Sequence, residues 1–236
     1  MSRDLSSPPC RDSLQTLMVI ELLAEKRADQ RPLADYLRPH ADRDGAEPEQ
    51  RVVFGGVSWD HYIAFDNALG HDCPGPRLYY FDEQLEIMTT SAKHEALKTW
   101  IGDFVADFLF ERDITAFPTG EATMRIMGEA GAEPDESWSF HEQTELPHLV
   151  LEVALTSGGI PKLDLYRCFE IPEVWMYRKG KLEVWILRRD GTGYDLAEKS
   201  GLLPDFDFPL LARCLEMVPN WNAARRAFRD GLRKQP

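Results

Sequence analysis

The segment from Leu149 to Leu155 reads Leu-Val-Leu-Glu-Val-Ala-Leu, an apolar run interrupted once, by Glu152. Its length suits a strand, and the lack of polar alternation marks a strand covered on both faces. A sheet built around such a strand needs helices packed on it. The sequence supplies one of the right kind. Ser91 is placed to cap a helix reaching about Arg112, where Leu97, Trp100, Ile101, Phe104, Val105, Phe108 and Leu109 form one broad apolar stripe. Further strands are expected at 77–82 and 84–89, joined by a tight turn. In the second of these, Leu85 and Ile87 point to one face and Glu86 and Met88 to the other. Strands are also expected at 123–127, 135–140, 148–154, 173–178, 182–188 and 194–198. Shorter helices are expected from a Ser58 cap to a stop at Gly70, and at 160–169, 208–217 and 221–232. This order implies an α/β (α+β) fold, a mixed sheet flanked by helices.

The remaining segments divide the chain. Residues 1–12 include Ser6-Ser7-Pro8-Pro9 and read as a disordered start, followed by a helix from Ser13 to about residue 28. Residues 39–50 are polar and rich in breakers, so a linker is expected there. Residues 1–50 thus form an N-terminal extension, 51–218 the main domain and 219–236 a basic helical tail. At 43% hydrophobic and 28% charged, the composition of the 236 residues is that of a globular protein with a real core. Mean hydropathy is −0.39, and no apolar run approaches the roughly 20 residues of a membrane span. With no signal-peptide pattern at the start, a soluble, cytoplasmic protein is expected. Cys10, Cys73, Cys168 and Cys214 are widely spaced, which excludes a CxxC zinc knuckle or redox pair. Net charge is −13, so the surface as a whole does not attract polyanions. The one basic cluster is Arg225, Arg226, Arg229, Arg233 and Lys234 in the tail, whose plain reading is a solvated helix.

Two carboxylates are candidates for chemistry. A lone acid inside an apolar strand costs several kcal/mol unless it has a partner. Glu152 therefore has either a basic side chain or a divalent cation beside it. Asp135 follows Pro134 at the opening of the preceding strand, where turn formation is the plainer role. Together the two could converge on one cation, since Mg²⁺ needs only one or two carboxylates besides water and phosphate oxygens. Lys162, ten residues after Glu152, reads from sequence alone as a solvated helix residue, although an ammonium there could orient a water or offset charge on a phosphate. Tyr166 lies one turn further on the same helix face. At 100° per residue, His94 lies near the apolar stripe of its helix and faces the sheet, whereas Glu95 points toward water. Glu86 faces the same cleft from the strand that feeds this helix.

These residues fall within a run of motifs: 77–95 (RLYYFDEQLEIMTTSAKHE), Glu133-Pro134-Asp135, Pro147 to Val153, Lys162 to Tyr166, Ile171 to Trp175, and a Ser200 to Pro204 loop. In this order they resemble the Uma-two family of bacterial endonucleases, of the restriction-endonuclease-like, PD-(D/E)XK superfamily. The resemblance covers about residues 55–217. It implies a restriction-endonuclease-like fold and metal-assisted hydrolysis of DNA phosphodiesters. It further implies Mg²⁺ (or Mn²⁺) held by Glu86, Asp135 and Glu152, with His94 and Lys162 completing the catalytic set. Whether Glu95 replaces Glu86 or His94 in that set stays open. The superfamily's usual lysine, two residues after the second acid, is Ala154 here, and Lys162 matches the family's substitute.

Two other readings stand beside the nuclease. One is a catalytically inactive relative serving as a structural or partner-binding protein, which suits Ala154 and the acidic surface. The other is a hydrolase of small phosphodiesters. The family resemblance also implies a homodimer or larger assembly. Trp175, Tyr177 and Trp185 either provide that face or fill the core.

Overall fold

The computed structural model describes residues 49–69 and 76–234. The helix expected at 13–28, most of the expected linker, the Gly70 stop, Cys10 and Cys73 lie outside these residues. Among the described residues, eleven strands and five helices follow in order. They are β1 (Gln50–Gly55), α1 (Trp59–Leu69), β2 (Arg77–Phe81), β3 (Gln84–Thr89), α2 (Ala92–Glu111), β4 (Ala116–Pro118), β5 (Met124–Ile126), β6 (Ala130–Ala132), β7 (Glu136–Phe140) and β8 (Leu149–Ala154). The chain continues with α3 (Lys162–Cys168), β9 (Glu173–Arg178), β10 (Lys181–Leu187), β11 (Tyr194–Ala197), α4 (Phe208–Glu216) and α5 (Trp221–Arg233). The fold is mixed α/β.

The strands divide between two sheets. One is antiparallel, in the order β1-β3-β2-β6-β5. The other runs β11-β10-β9-β8-β7-β4 and is antiparallel except where β8 pairs with β9. A parallel pair needs a crossover, and α3 supplies it. β8 is covered on both faces, as its composition requires. Leu149, Leu151 and Val153 pack into the cluster beneath α2, α4 and α5, while Val150 joins the cluster around α3.

Local chemistry explains the joints. Asp82 and Glu83 both take positive φ (50° and 56°) in the two-residue turn between β2 and β3. Ser91 is extended, and its Oγ accepts the His94 amide at 3.2 Å, which starts α2 at Ala92. Three strands escape the sequence pattern: β1, β4 and β6. β4 and β6 have only three residues each, and β6 is Ala-Gly-Ala. Gly131 is required in β6 because a Cβ there would overlap the Tyr62 ring and hydroxyl.

Three apolar clusters follow from this layout. α1 packs Tyr62 and Phe65 on Leu78, Tyr80 and Leu85 of the first sheet, with Tyr62 and Tyr80 stacked 5.1 Å apart. The largest cluster joins Ile101, Phe104 and Phe108 of α2 to Trp175, Phe206 and Phe228. Trp175 is fully buried there, and Tyr177 and Trp185 are half-buried against apolar neighbours. Trp175 therefore fills the core rather than an outer face.

The C-terminal helix differs from the solvated tail expected. It presents Ala224, Phe228 and Leu232, all fully buried, to α2 and α4. Its arginines cross to α2: Arg225 Nε donates to Asp107 at 2.6 Å, Arg229 Nε to Glu111 at 2.8 Å and Arg233 Nη2 to Glu111 at 2.8 Å. Among the described residues no helix is long and apolar enough to cross a membrane. Because α5 is part of the core, Phe228→Ala is expected to cost about 3–5 kcal/mol in urea unfolding. A surface substitution on a solvated tail would stay within about 0.5 kcal/mol.

Candidate active site

The five side chains singled out by sequence are all buried and meet where the two sheets, α2 and α3 converge. Period two directs Glu86 inward from β3, opposite Leu85 and Ile87, and it is fully buried. α2 turns His94 inward from its first turn. Asp135 closes the loop before β7, Glu152 projects from the middle of β8, and Lys162 opens α3.

Asp135 is held from three sides. Arg77 pairs with its Oδ1, His94 Nε2–H donates to the same oxygen at 2.8 Å, and the Val153 amide donates to Oδ2 at 2.5 Å. Burial raises its pKa, but the Arg77 guanidinium and His94 outweigh that and hold the carboxyl below the usual range. The other ring nitrogen, His94 Nδ1, lies 3.0 Å from Glu49 Oε2. Both ring nitrogens thus face carboxylates, the arrangement of an imidazolium. Burial opposes that charge, yet the hydrogen bonds to Asp135 and Glu49 push the pKa up to about 9.

Glu86 and Lys162 form a second group. The Ile160 amide donates to Glu86 Oε2 at 2.6 Å, Arg51 Nε lies 3.3 Å from Oε1, and Lys162 Nζ lies 3.7 Å from Oε1. Gly159, at φ +92°, is needed beside them, since a Cβ would collide with Glu86 and Arg51. The Lys162 ammonium rests over the Tyr79 ring. Among the described residues, neither Lys162 Nζ nor Glu86 Oε1 has a hydrogen-bond partner. Burial pulls the lysine down to about 8.

Glu152 is paired mainly with neutral groups. Tyr166 donates to Oε1 and Tyr79 to Oε2, the latter at 3.4 Å. Burial pushes its carboxyl up to about 7; Lys162 opposes the rise and Asp135 adds to it. Glu95 is a different case. It is half exposed, pairs with Lys98 at 2.8 Å and reaches Arg77 at 3.6 Å, so it stands at the rim and not in the inner group.

Several members were missed by sequence. Arg77 shares a strand face with Tyr79 by period two, and a charge opening an apolar strand was a usable signal. Glu49 and Arg51 carried none, because they lie in or next to a segment that reads as linker. The structure puts Gln50 and Arg51 in β1 and buries Glu49 against His94, Arg51 and Thr156. Among the described residues, no three His, Cys, Asp or Glu side chains stand together in a metal-holding arrangement. Glu86, Asp135 and Glu152 each keep separate partners. The group opens onto a cleft of about 920 Å³, lined by Glu152, Lys162, Arg51, Thr156, Gly159 and Arg178.

Buried acids with shifted titration, and a buried lysine beside one cleft, mark a candidate functional site. The chain belongs to the Uma2 family, whose model, described as "Putative restriction endonuclease", matches residues 59–218. A crystal structure of a "putative nuclease belonging to DUF820" from Anabaena variabilis is similar, with a TM-score of 0.44 and 13% identity. That match covers 73% of this chain and 99% of the other. No curated protein matches the sequence. Glu49 and Arg51 lie ahead of the matched segment.

The His94 pairing has a pH signature. Its folded value of about 9 lies above the ordinary 6.5, so the linked stability is complete below about pH 6.5 and lost as pH rises through about 9. In urea unfolding with chelator present, native protein is expected to exceed His94→Gln by a few kcal/mol at pH 6. The difference should shrink steadily toward pH 10.

Proposed function

We propose that this protein is a metal-dependent endonuclease that hydrolyses DNA phosphodiester bonds. The observation that carries the reading is the Glu152–Lys162 pair. A carboxyl raised to about 7 and an ammonium lowered to about 8 share one buried site beside an open cleft. Opposed shifts of this kind are how a site keeps acid and base forms available near neutral pH.

The donor chemistry suits a hard divalent cation. Among the described residues Glu86 Oε1 is buried without a hydrogen bond, and Asp135 and Glu152 repel each other across the site. Glu86, Asp135 and Glu152 would hold Mg²⁺ or Mn²⁺ only on turning from the separate partners they keep in this structure. When bound, such an ion supplies Lewis-acid polarisation of a phosphoryl oxygen and a more acidic water. The protein's own groups do the rest. Arg77 and the Val153 amide fix Asp135, with His94 bracing it from the helix. Tyr79 and Tyr166 orient Glu152. Lys162, poorly solvated and lightly held, orients the attacking water and offsets charge on the phosphate. Ala154 leaves the superfamily's usual lysine position empty of charge, and Lys162 supplies an ammonium from α3 instead.

In plasmid cleavage with Mg²⁺ or Mn²⁺, Glu152→Gln and Lys162→Met are each expected to lower the rate by roughly 10²-fold or more. Calorimetry on the same samples should show metal binding by native protein and weaker binding by Glu152→Gln. Native protein that neither binds metal at millimolar concentration nor cuts DNA overturns the proposal. One observation favours a second reading, an inactive relative: Asp135 is already fully engaged by Arg77, His94 and Val153. That reading expects no heat of metal binding at all.

A further inference from the structure

The sheet face that carries Glu152 continues past it to a group of cations. The parallel register pairs Glu152 with Met176 and Ala154 with Arg178. The β9–β10 hairpin then pairs Arg178 with Lys181 and Met176 with Glu183. Side chains directly paired across a sheet share a face, and alternate residues along a strand return to it. Glu152, Ala154, Arg178 and Lys181 therefore project from one side of the second sheet, and all four line the same cleft. Lys179 stands at the hairpin tip, where its φ of 51° and that of Gly180 at 78° make the turn.

The charges on this face are unevenly committed. Arg178 gives its guanidinium to Glu183, with Nε donating at 2.7 Å. Lys179 and Lys181 are exposed, and among the described residues neither enters an ion pair. On a chain of net charge −13, uncommitted lysines at the mouth of the cleft are a local exception to the prevailing sign. On the basic helix α5, Arg225, Arg229 and Arg233 are bound to α2 acids, and neither Arg226 nor Lys234 lines the cleft. Distance also fits a backbone. Two strand spacings and two residues put the Lys181 backbone roughly 12 Å from that of Glu152, the rise of three to four base pairs.

We propose that the sheet face running from Glu152 to the β9–β10 hairpin is a track for the DNA sugar-phosphate backbone beside the scissile bond. Lys179 and Lys181 contact successive phosphates on it. Ala154 keeps the floor of the track low, and the Arg178–Glu183 pair fixes one wall. The inference rests on the nuclease reading for its substrate, but its test reads binding alone.

The experiment is fluorescence anisotropy of a labelled duplex with the full chain, in chelator, between about 50 and 200 mM salt. Lys179→Ala/Lys181→Ala should weaken binding and reduce the slope of log K against log salt by about 2. Arg226→Ala/Lys234→Ala removes the same charge from the exposed side of α5 and should leave the slope unchanged. Hydrolysis of bis(p-nitrophenyl) phosphate, too small to reach the hairpin, should be the same in native and Lys179→Ala/Lys181→Ala protein. An unchanged slope in the hairpin variant, or an equal drop in the α5 variant, overturns the track while leaving the nuclease reading intact. Native protein that binds no duplex even at the lowest salt overturns both.

Discussion

Burial of charge around Asp135 organises much of this molecule. Glu49, Glu86, Asp135 and Glu152 are all buried, and an isolated carboxylate in that position costs several kcal/mol. The compensation comes from separate elements. Arg51 of β1 serves Glu49 and Glu86, Arg77 of β2 serves Asp135, His94 of α2 bridges Glu49 and Asp135, and Lys162 of α3 approaches Glu86. Neutralising these acids therefore draws the first sheet, the second sheet and two helices to one point. Apolar packing alone would let the sheets slide; a network with fixed donors and acceptors does not.

Glu152 is the member least well compensated. Burial raises its carboxyl, and with two phenols rather than a guanidinium on its oxygens the proton is retained toward neutral pH. Such an arrangement is poor for stability and useful for chemistry, and sites of this kind are where local rules are expected to fail.

Much of this was readable from sequence where a period was long or a cap unambiguous. The twenty-residue stripe of α2 and the Ser91 cap placed His94 inward, and alternation in β3 placed Glu86. The uninterrupted apolar run of β8 made Glu152 stand out. What escaped did so for physical reasons. β4 and β6 are too short to show a period, and β6 lacks side chains that favour strands. Glu49 is polar among polar residues, and only tertiary contact with His94 and Thr156 sets it apart. The division of strands into two sheets depends on long-range pairing that a one-dimensional pattern does not carry. The tail arginines misled for a similar reason: their partners, Asp107 and Glu111, lie 118 or more residues earlier.

That separation bears on how the chain is made. Among the described helices α2 carries the most buried residues, and the helix that completes its cover supplies its first arginine 118 residues after Asp107. Until then Phe104 and its neighbours lack their last partner, and the acids of α2 lack their arginines. Contacts of such high sequence separation form late and slow the search for the native state. A chain lacking α5 leaves an aromatic strip of α2 uncovered beside its unpaired acids. Asp107 and Glu111 thus gain their arginine partners only when the last helix is in place.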